Sequence, residues 1–276
     1  MQISECVPLF KEDIFLKHGL KLELKQATGG AVILSSLLGG GLDVGFSNLV
    51  SPILARSQGA DVVAFAGCTY EDSKYSGHAL MVDPASGIKS ARDLVGKTIA
   101  INTLRNIDHL MLLSWLRDQG VSGNDIKLME VPFPRMATML QGKEVSAIAV
   151  VEPFLAIASQ QGYKSIGNYY VTKSVGRVEV TSYIAKSAWL SENSQTAKAF
   201  KDALGESIDY YSSRPAEFRE AIRSLTKLDK KFTDEINLPA FAKMPTAEGV
   251  DYLIKRLKEE NFLEKPVDAK SVIRVN

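Results

Sequence analysis

The 276-residue chain has little of several things, and each shortage excludes a class. Charge of one sign is missing: 33 Lys+Arg stand against 32 Asp+Glu, a net of +1, so there is no one-sided field to draw in phosphate polymer or acidic lipid. Nucleic acid is not an expected partner. Cysteine is scarce: Cys6 and Cys68 are the only two, too few for a zinc site and at no CxxC spacing, which leaves at most one disulfide. No apolar run approaches the roughly 20 residues that span a bilayer, and the longest uncharged stretch, 26–42, is broken by five glycines. Direct membrane insertion is not expected. The first residues, Met1 to Glu5, show neither a basic n-region nor an apolar h-region, so the chain as given carries no secretory signal.

Catalytic signatures are missing too. Residues 45–49 (GFSNL) lack the second glycine of a GxSxG nucleophile elbow. There is no HExxH, Walker loop or GxGxxG, and Gly39-Gly40-Gly41 precedes a strand, the wrong order for a dinucleotide fingerprint. Of the three histidines, His18 sits in a polar turn and reads as solvated. His109 is adjacent to Asp108, and neighbours on a helix face different ways, which argues against a relay. His78, after Ser76-Gly77, could line a cleft.

What is present is an ordinary globular composition, 45% hydrophobic and 24% charged, which excludes disorder and repeat scaffolds. The length, about twice a domain of roughly 100–200 residues, leaves one large domain or two lobes open. Short β-branched runs alternate with helical segments, the pattern of an α/β protein with mostly parallel strands. Strands are expected at 20–24, 44–46, 62–66, 98–101, 126–131 and 147–151, with a last one at 183–185. Helices are expected at 31–38, 52–57, 107–119, 135–140 and 153–160, followed by long amphipathic helices at 195–212, 216–225 and 246–260. Ser51-Pro52 reads as a cap and first helical residue. The passage 37–46 (LLGGGLDVGF) is echoed by 139–148 (MLQGKEVSAI), each a helix, a glycine stop and a strand, which suggests two lobes of similar build.

In such folds ligands lie beyond the carboxyl ends of strands, where helix N-termini present unpaired N–H groups. The residues there are Thr28-Gly29-Gly30, Ser47-Asn48, Cys68-Thr69-Tyr70, Asn102-Thr103-Leu104-Arg105-Asn106 and Glu152-Pro153-Phe154. All are candidate ligand contacts, and all serve equally well as helix caps. Arg105 could grip a carboxylate, sulfonate or phosphate with its planar fork, or pair with Asp108. Glu152 could accept from an amine or hydroxyl, or cap the helix that Pro153 begins.

Several segments together resemble one family. Leu94–Thr103 (LVGKTIAINT), Phe15–Leu20 (FLKHGL), Gly41–Phe46 (GLDVGF), Glu130–Met136 (EVPFPRM), Val151–Phe154 (VEPF) and Ala188–Asn193 (AWLSEN) match, in order and spacing, solute-binding proteins of the nitrate/sulfonate/taurine ABC-transporter type, whose relatives include handlers of thiamine-pyrimidine precursors. The resemblance implies a two-lobe, type II periplasmic-binding-protein fold with two hinge crossovers, lobe 1 from residues 1–79 and 178–276 and lobe 2 from 80–177. It further implies a non-enzymatic, cofactor-free, monomeric protein, periplasmic or otherwise extracytoplasmic, that closes on a small polar molecule or anion between its lobes and delivers it to ABC permease subunits. The expected ligand set is Thr28, Gly29, Ser47, Asn48, Cys68, Thr69, Tyr70, His78, Thr103, Leu104, Arg105, Asn106, Glu152 and Phe154. A leader and first strand normally precede the point where this chain opens, so the absent signal reads as missing sequence. Arg135 stands where the family pattern has an acid. The alternative is a cytosolic enzyme of pyrimidine/thiamine- or menaquinone-precursor synthesis on the same fold, but the cysteine-rich segment of the thiamine-pathway enzymes has no counterpart around Cys68.

Overall fold

Runs such as Thr98-Ile99-Ala100-Ile101 and Ala147-Ile148-Ala149-Val150-Val151 carry apolar side chains on both faces, and such strands belong in the middle of a sheet covered on both sides by helices. The computed structural model, which describes residues 1–4, 9–25, 30–171 and 176–274, places them there. In chain order the elements are β1 (Gln2–Ser4), α1 (Glu12–Lys17), β2 (Glu23–Lys25), α2 (Gly30–Leu38), β3 (Gly45–Asn48), α3 (Val50–Ser57), β4 (Val63–Asp72), β5 (His78–Val82), β6 (Thr98–Ile101), α4 (Ile107–Asp118), β7 (Lys127–Glu130), α5 (Phe133–Gln141), β8 (Ala147–Val151), α6 (Phe154–Gln160), β9 (Lys164–Gly167), β10 (Arg177–Ala185), α7 (Ser187–Glu192), α8 (Ser194–Ser212), α9 (Pro215–Thr226), α10 (Lys230–Thr233), β11 (Ala240–Ala242), α11 (Ala247–Glu259) and α12 (Ala269–Val272). No helix among the described residues is long and apolar enough to cross a membrane.

The chain divides into two compact units, the first made of Met1–Tyr70, Glu179–Lys227 and Ala240–Asn276, the second of Glu71–Val178 and Leu228–Pro239. The long strands β4 and β10 each pass from one unit into the other. The expected lobe boundaries fell at 79/80 and 177/178 and left 228–239 in lobe 1. That segment instead belongs with the second unit because side chains of α6 and its cap hold it: Gln160 Nε2 donates to Lys231 O (2.8 Å) and Glu235 Oε2 (3.0 Å), and Glu152 Oε1 accepts from Asn237 N (2.9 Å) and Nδ2 (3.1 Å). The helix-glycine-strand echo falls once in each unit, as α2–β3 and α5–β8.

The first unit holds a four-stranded sheet in the order β11-β4-β10-β3 and the parallel pair β1-β2. The second holds a five-stranded sheet, β7-β6-β8-β5-β9. The expectation of mostly parallel strands needs correction. β6 is parallel to β7 and β8, but β5 runs antiparallel to β8 and β9, β10 to β3, and β11 to β4. β5 lies between β8 and β9 in the second unit's sheet and runs against both. Its five residues are buried throughout, so it shows no alternation to betray it as a strand.

Two local punctuation marks also differ from expectation. α3 starts at Val50, ahead of Ser51-Pro52, because Asn48 Oδ1 accepts the Ser51 N–H (3.0 Å). His18, read as solvated, lies with Nε2 3.0 Å from Glu206 Oε2. The C-terminal helices form where expected, and α11 begins at a buried carboxylate: Glu179 accepts from Thr246 N (2.8 Å) and Oγ1 (3.1 Å), which satisfies donors at the positive end of the helix.

Candidate functional site

Each unit carries candidate residues at its strand ends, and each set is built by its own unit. In the first, β3 ends at Ser47 and Asn48. Asn48 is fixed by its Oδ1 accepting the Ser51 N–H (3.0 Å) and by Nδ2 donating to Ser51 Oγ (2.9 Å). Thr181 of β10 lies opposite Asn48 in register, and its Oγ1 is 2.6 Å from Thr69 Oγ1 of β4. Asn48, Thr181 and Thr69 therefore form a polar row across three adjacent strands.

Ser47 beside this row is only 2% exposed, yet among the described residues its Oγ has no hydrogen-bond partner. Orphaned buried hydroxyls are uncommon, since each forgoes hydration without compensation. The first residue of α2 sits over it. A Cβ on Gly30 would lie 2.6 Å from Asn48 Nδ2 and 2.9 Å from Ser47 Oγ, so glycine alone leaves this space open. The arrangement presents a hydroxyl donor close to where two helices, α2 and α3, begin, and both helix N-termini favour negative charge.

The other expected contacts of this unit divide. Thr28 and Gly29 lie outside the described residues, as does Cys6. Cys68 is buried within β4, opposite Ala242, with Sγ 3.6 Å from Met244 O; it is core, and no ligand surface is left on it. Tyr70, at the end of the first unit's part of β4, is half-buried opposite Ala240.

In the second unit the loop after β6 brings Thr103, Leu104 and Arg105 to the surface. The backbone donors expected to meet a ligand are already occupied. Thr103 N donates to Asn102 Oδ1 (2.8 Å), Leu104 N to Glu130 Oε1 (2.6 Å) and Arg105 N to His109 Nδ1 (2.9 Å). Arg105 takes a left-handed conformation, φ 57°. Asn106 is a buried cap: its Oδ1 accepts from His109 N (3.0 Å) and its Nδ2 donates to Asn102 Oδ1 (2.9 Å). His109 is pushed down to about 4 by burial and by the Arg105 charge, so a neutral ring serves as acceptor. Glu152 also caps, accepting from Ala156 N at 3.1 Å, and burial raises its carboxyl above the usual range. Phe154 stacks on Phe133, centroids 5.7 Å apart and planes 14° apart, over the apolar core of this unit.

His78 does not line a surface. It is 8% exposed at the start of β5, and its Nδ1 makes a short hydrogen bond with Glu71 Oε1. Its Nε2 lies 3.8 Å from Asp108 Oδ1. The ring stacks on Tyr170 (3.8 Å between centroids, 23°) and meets Tyr169 edge-on (6.1 Å). Both tyrosine hydroxyls donate to Asp108 Oδ1, at 3.0 and 2.9 Å, while Glu71 also accepts from Gly77 N (2.8 Å) and Asn168 Nδ2 (3.4 Å). Burial works against a charged imidazole, but the carboxylates of Glu71, Asp108 and Glu152 outweigh it and hold His78 above its ordinary value. Both tyrosines are raised well above theirs by burial and then by Asp108. Sequence reasoning missed Glu71, Asp108, Tyr169 and Tyr170. The available signal was charge inside otherwise apolar segments, as in Ile107-Asp108-His109-Leu110-Met111. Among the described residues no group of His, Cys, Asp and Glu is placed to hold a metal.

The chain belongs to the NMT1/THI5 like family, whose model matches residues 11–218. It is 31% identical over 143 residues to a putative aliphatic sulfonates-binding protein of Escherichia coli, covering 51% of this chain and 43% of that one. It is 28% identical over 166 residues to a putative ABC transporter periplasmic binding protein of Brachyspira hyodysenteriae, covering 55% and 46%. The chain spans less than two thirds of the length of the curated relatives it matches. Its fold is that of the periplasmic aliphatic sulphonate binding protein SsuA from Escherichia coli, with a TM-score of 0.81 at 20% identity over 99% of this chain and 91% of that one. At that identity the likeness establishes the periplasmic-binding-protein fold alone.

Proposed function

We propose that the protein is the solute-binding component of an ABC importer, working outside the cytoplasm as a monomer, and that it captures a small anion whose oxygens are sulfonate-like. The observation that carries this is the buried Ser47 hydroxyl, without a hydrogen-bond partner among the described residues, beside Asn48 and the starts of α2 and α3. A tetrahedral oxyanion accepts hydrogen bonds and carries the charge that helix N-termini favour. Membership of a family whose relatives are named as sulfonate-binding and ABC periplasmic binding proteins supports the reading. A non-enzymatic role is supported by the strongest acid-base cluster, Glu71-His78-Asp108, being buried and without a nucleophile among the contacts described for it. Delivery to permease subunits follows from the same reading.

The test is titration calorimetry of the protein against ethanesulfonate, butanesulfonate, sulfate, nitrate and acetate. Sulfonate binding that weakens about tenfold to a hundredfold in Ser47→Ala is expected, since hydrogen bonds to charged groups are worth roughly 1.5–3 kcal/mol. Absence of heat and of thermal shift with every one of these anions overturns the proposal.

A further inference from the structure

We propose that the buried Glu71-His78-Asp108 cluster is a proton-controlled lock on the 102–106 loop, so that loss of one proton inside the second unit loosens that loop. Its effect on ligand capture rests on the solute-binding function proposed above; the lock itself does not.

The connection runs from contact to contact without a gap. Asp108 stands one residue beyond the first residue of α4. Its Oδ1 takes the two tyrosine hydroxyls, and its Oδ2 lies 3.5 Å from Asn106 Nδ2. That same Nδ2 donates to Asn102 Oδ1, which accepts Thr103 N. The loop therefore hangs from Asp108, and Asp108 is what Nε2 of His78 faces. The groups around His78 come from every element packed on it: Glu71 at the end of β4, Asp108 on α4, Tyr169 and Tyr170 after β9, and Glu152 after β8. Among these described groups the imidazolium is the only cation.

Charged, the ring presents N–H on both nitrogens, one to Glu71 and one toward Asp108. Neutral, it keeps a single proton. The close Glu71 contact retains that proton on Nδ1, and the Nε2 lone pair then points at the Asp108 carboxylate from 3.8 Å. A buried carboxylate facing a lone pair rearranges or takes in water, and Asn106 with its loop is attached to it. Glu130 and His109, the loop's other holders, are outside the cluster. His109 titrates near 4, far below His78, so the two events fall in separate pH ranges.

The experiment follows the wild-type protein by NMR across neutral to alkaline pH. It reads the His78 ring nitrogens for charge and, for hydrogen exchange corrected for the intrinsic pH dependence, the Thr103 and His109 amides, which Asn102 and Asn106 hold. Protection of those amides is expected to fall about tenfold as His78 loses its proton, the equivalent of one pKa unit of coupling, and to stay level in His78→Gln. Flat protection while His78 titrates overturns the lock, and the wild-type profile decides this even if the variant fails to fold. Calorimetry with ethanesulfonate over the same range separates the two claims. A loop that responds with no ethanesulfonate binding at any pH upholds the lock and removes the sulfonate reading. Binding of constant affinity across the transition overturns the lock's control of capture.

Discussion

Ser47→Ala should stabilise the protein while it weakens binding. A buried hydroxyl without a partner has surrendered its hydration for nothing, at a cost of about 1–3 kcal/mol, and Ser47 Oγ is in that position. Alanine removes the oxygen and keeps the Cβ. The space left behind is small and partly polar, because Asn48 and Ser51 flank it and Gly30 covers it, so little packing is lost. The expected gain in unfolding free energy is about 0.5–2 kcal/mol. In the proposed complex the same hydroxyl would donate to a charged oxygen, and its loss should cost roughly 1.5–3 kcal/mol of affinity. The two effects have opposite sign, which separates a ligand-facing donor from a structural one. Urea unfolding at neutral pH with an unchanged m-value gives the first number, and ethanesulfonate calorimetry gives the second. A variant destabilised by about 1 kcal/mol or more, as expected for removal of a satisfied buried hydrogen bond, would refute the reasoning, and so would unaltered affinity.

Gly30→Ala drives a Cβ to 2.6 Å from Asn48 Nδ2 and 2.9 Å from Ser47 Oγ; ethanesulfonate affinity should drop at least about tenfold through overpacking worth roughly 1–3 kcal/mol, and full affinity in calorimetry would show that the ligand does not enter there. Tyr170→Phe keeps the ring stacked on His78 and deletes one of two hydroxyls on Asp108; a loss of about 1.5–3 kcal/mol is expected in urea unfolding, shrinking below about 1 kcal/mol in an Asp108→Asn background where the acceptor is uncharged. Equal losses in both backgrounds would mean that the hydroxyl does not serve a carboxylate. His78, raised in the folded protein, contributes stability that is complete below its unfolded value and is lost as pH climbs through the raised folded one. Unfolding free energy should therefore decline on the alkaline side of neutrality in the wild type and lose that component in His78→Gln; parallel profiles for the two proteins would contradict it.

Legibility in the sequence followed the range of the interaction. β6 and β8 were read to the residue because each is a short apolar run bounded by polar turns, and α2, α4 and α8 to within one residue because their glycine or asparagine punctuation is local. β5 and β9 escaped for opposite reasons: His78-Ala79-Leu80-Met81-Val82 is buried end to end, whereas Lys164-Ser165-Ile166-Gly167 is an edge strand with little hydrophobic content. In the site, Ser47, Asn48 and the 102–106 loop could be nominated from their position after strands. That Ser47 is orphaned while the loop's N–H groups are occupied depends on Gly30, Glu130 and His109, which no spacing rule ties to them. The His78 cluster draws on positions 71, 78, 108, 169 and 170, which only the folded sheet brings together.

The occupancy of the helix N-termini carries the argument about charge one step further. At the start of α4 the protein places its own acids: Glu130 takes the Leu104 N–H, Asp108 sits in the first turn, and Asn106 caps. At the start of α11 Glu179 plays the same part. An outside anion approaching either helix would meet a carboxylate already in place, and like charges at close range repel even with solvent screening. The starts of α2 and α3 carry no acidic side chain, and the hydroxyl nearest to them is unused. The sequence thus neutralises two of its helix N-termini internally and leaves another pair positive. On the proposed reading an anionic head group is drawn to the second pair for the same reason that it is kept from the first, and Arg105, on the loop that Glu130 and Asp108 adjoin, is not expected to be the primary anion grip. Arg105→Ala should accordingly cost less ethanesulfonate affinity than Ser47→Ala in parallel calorimetry, and the reverse order would place the head group on the second unit.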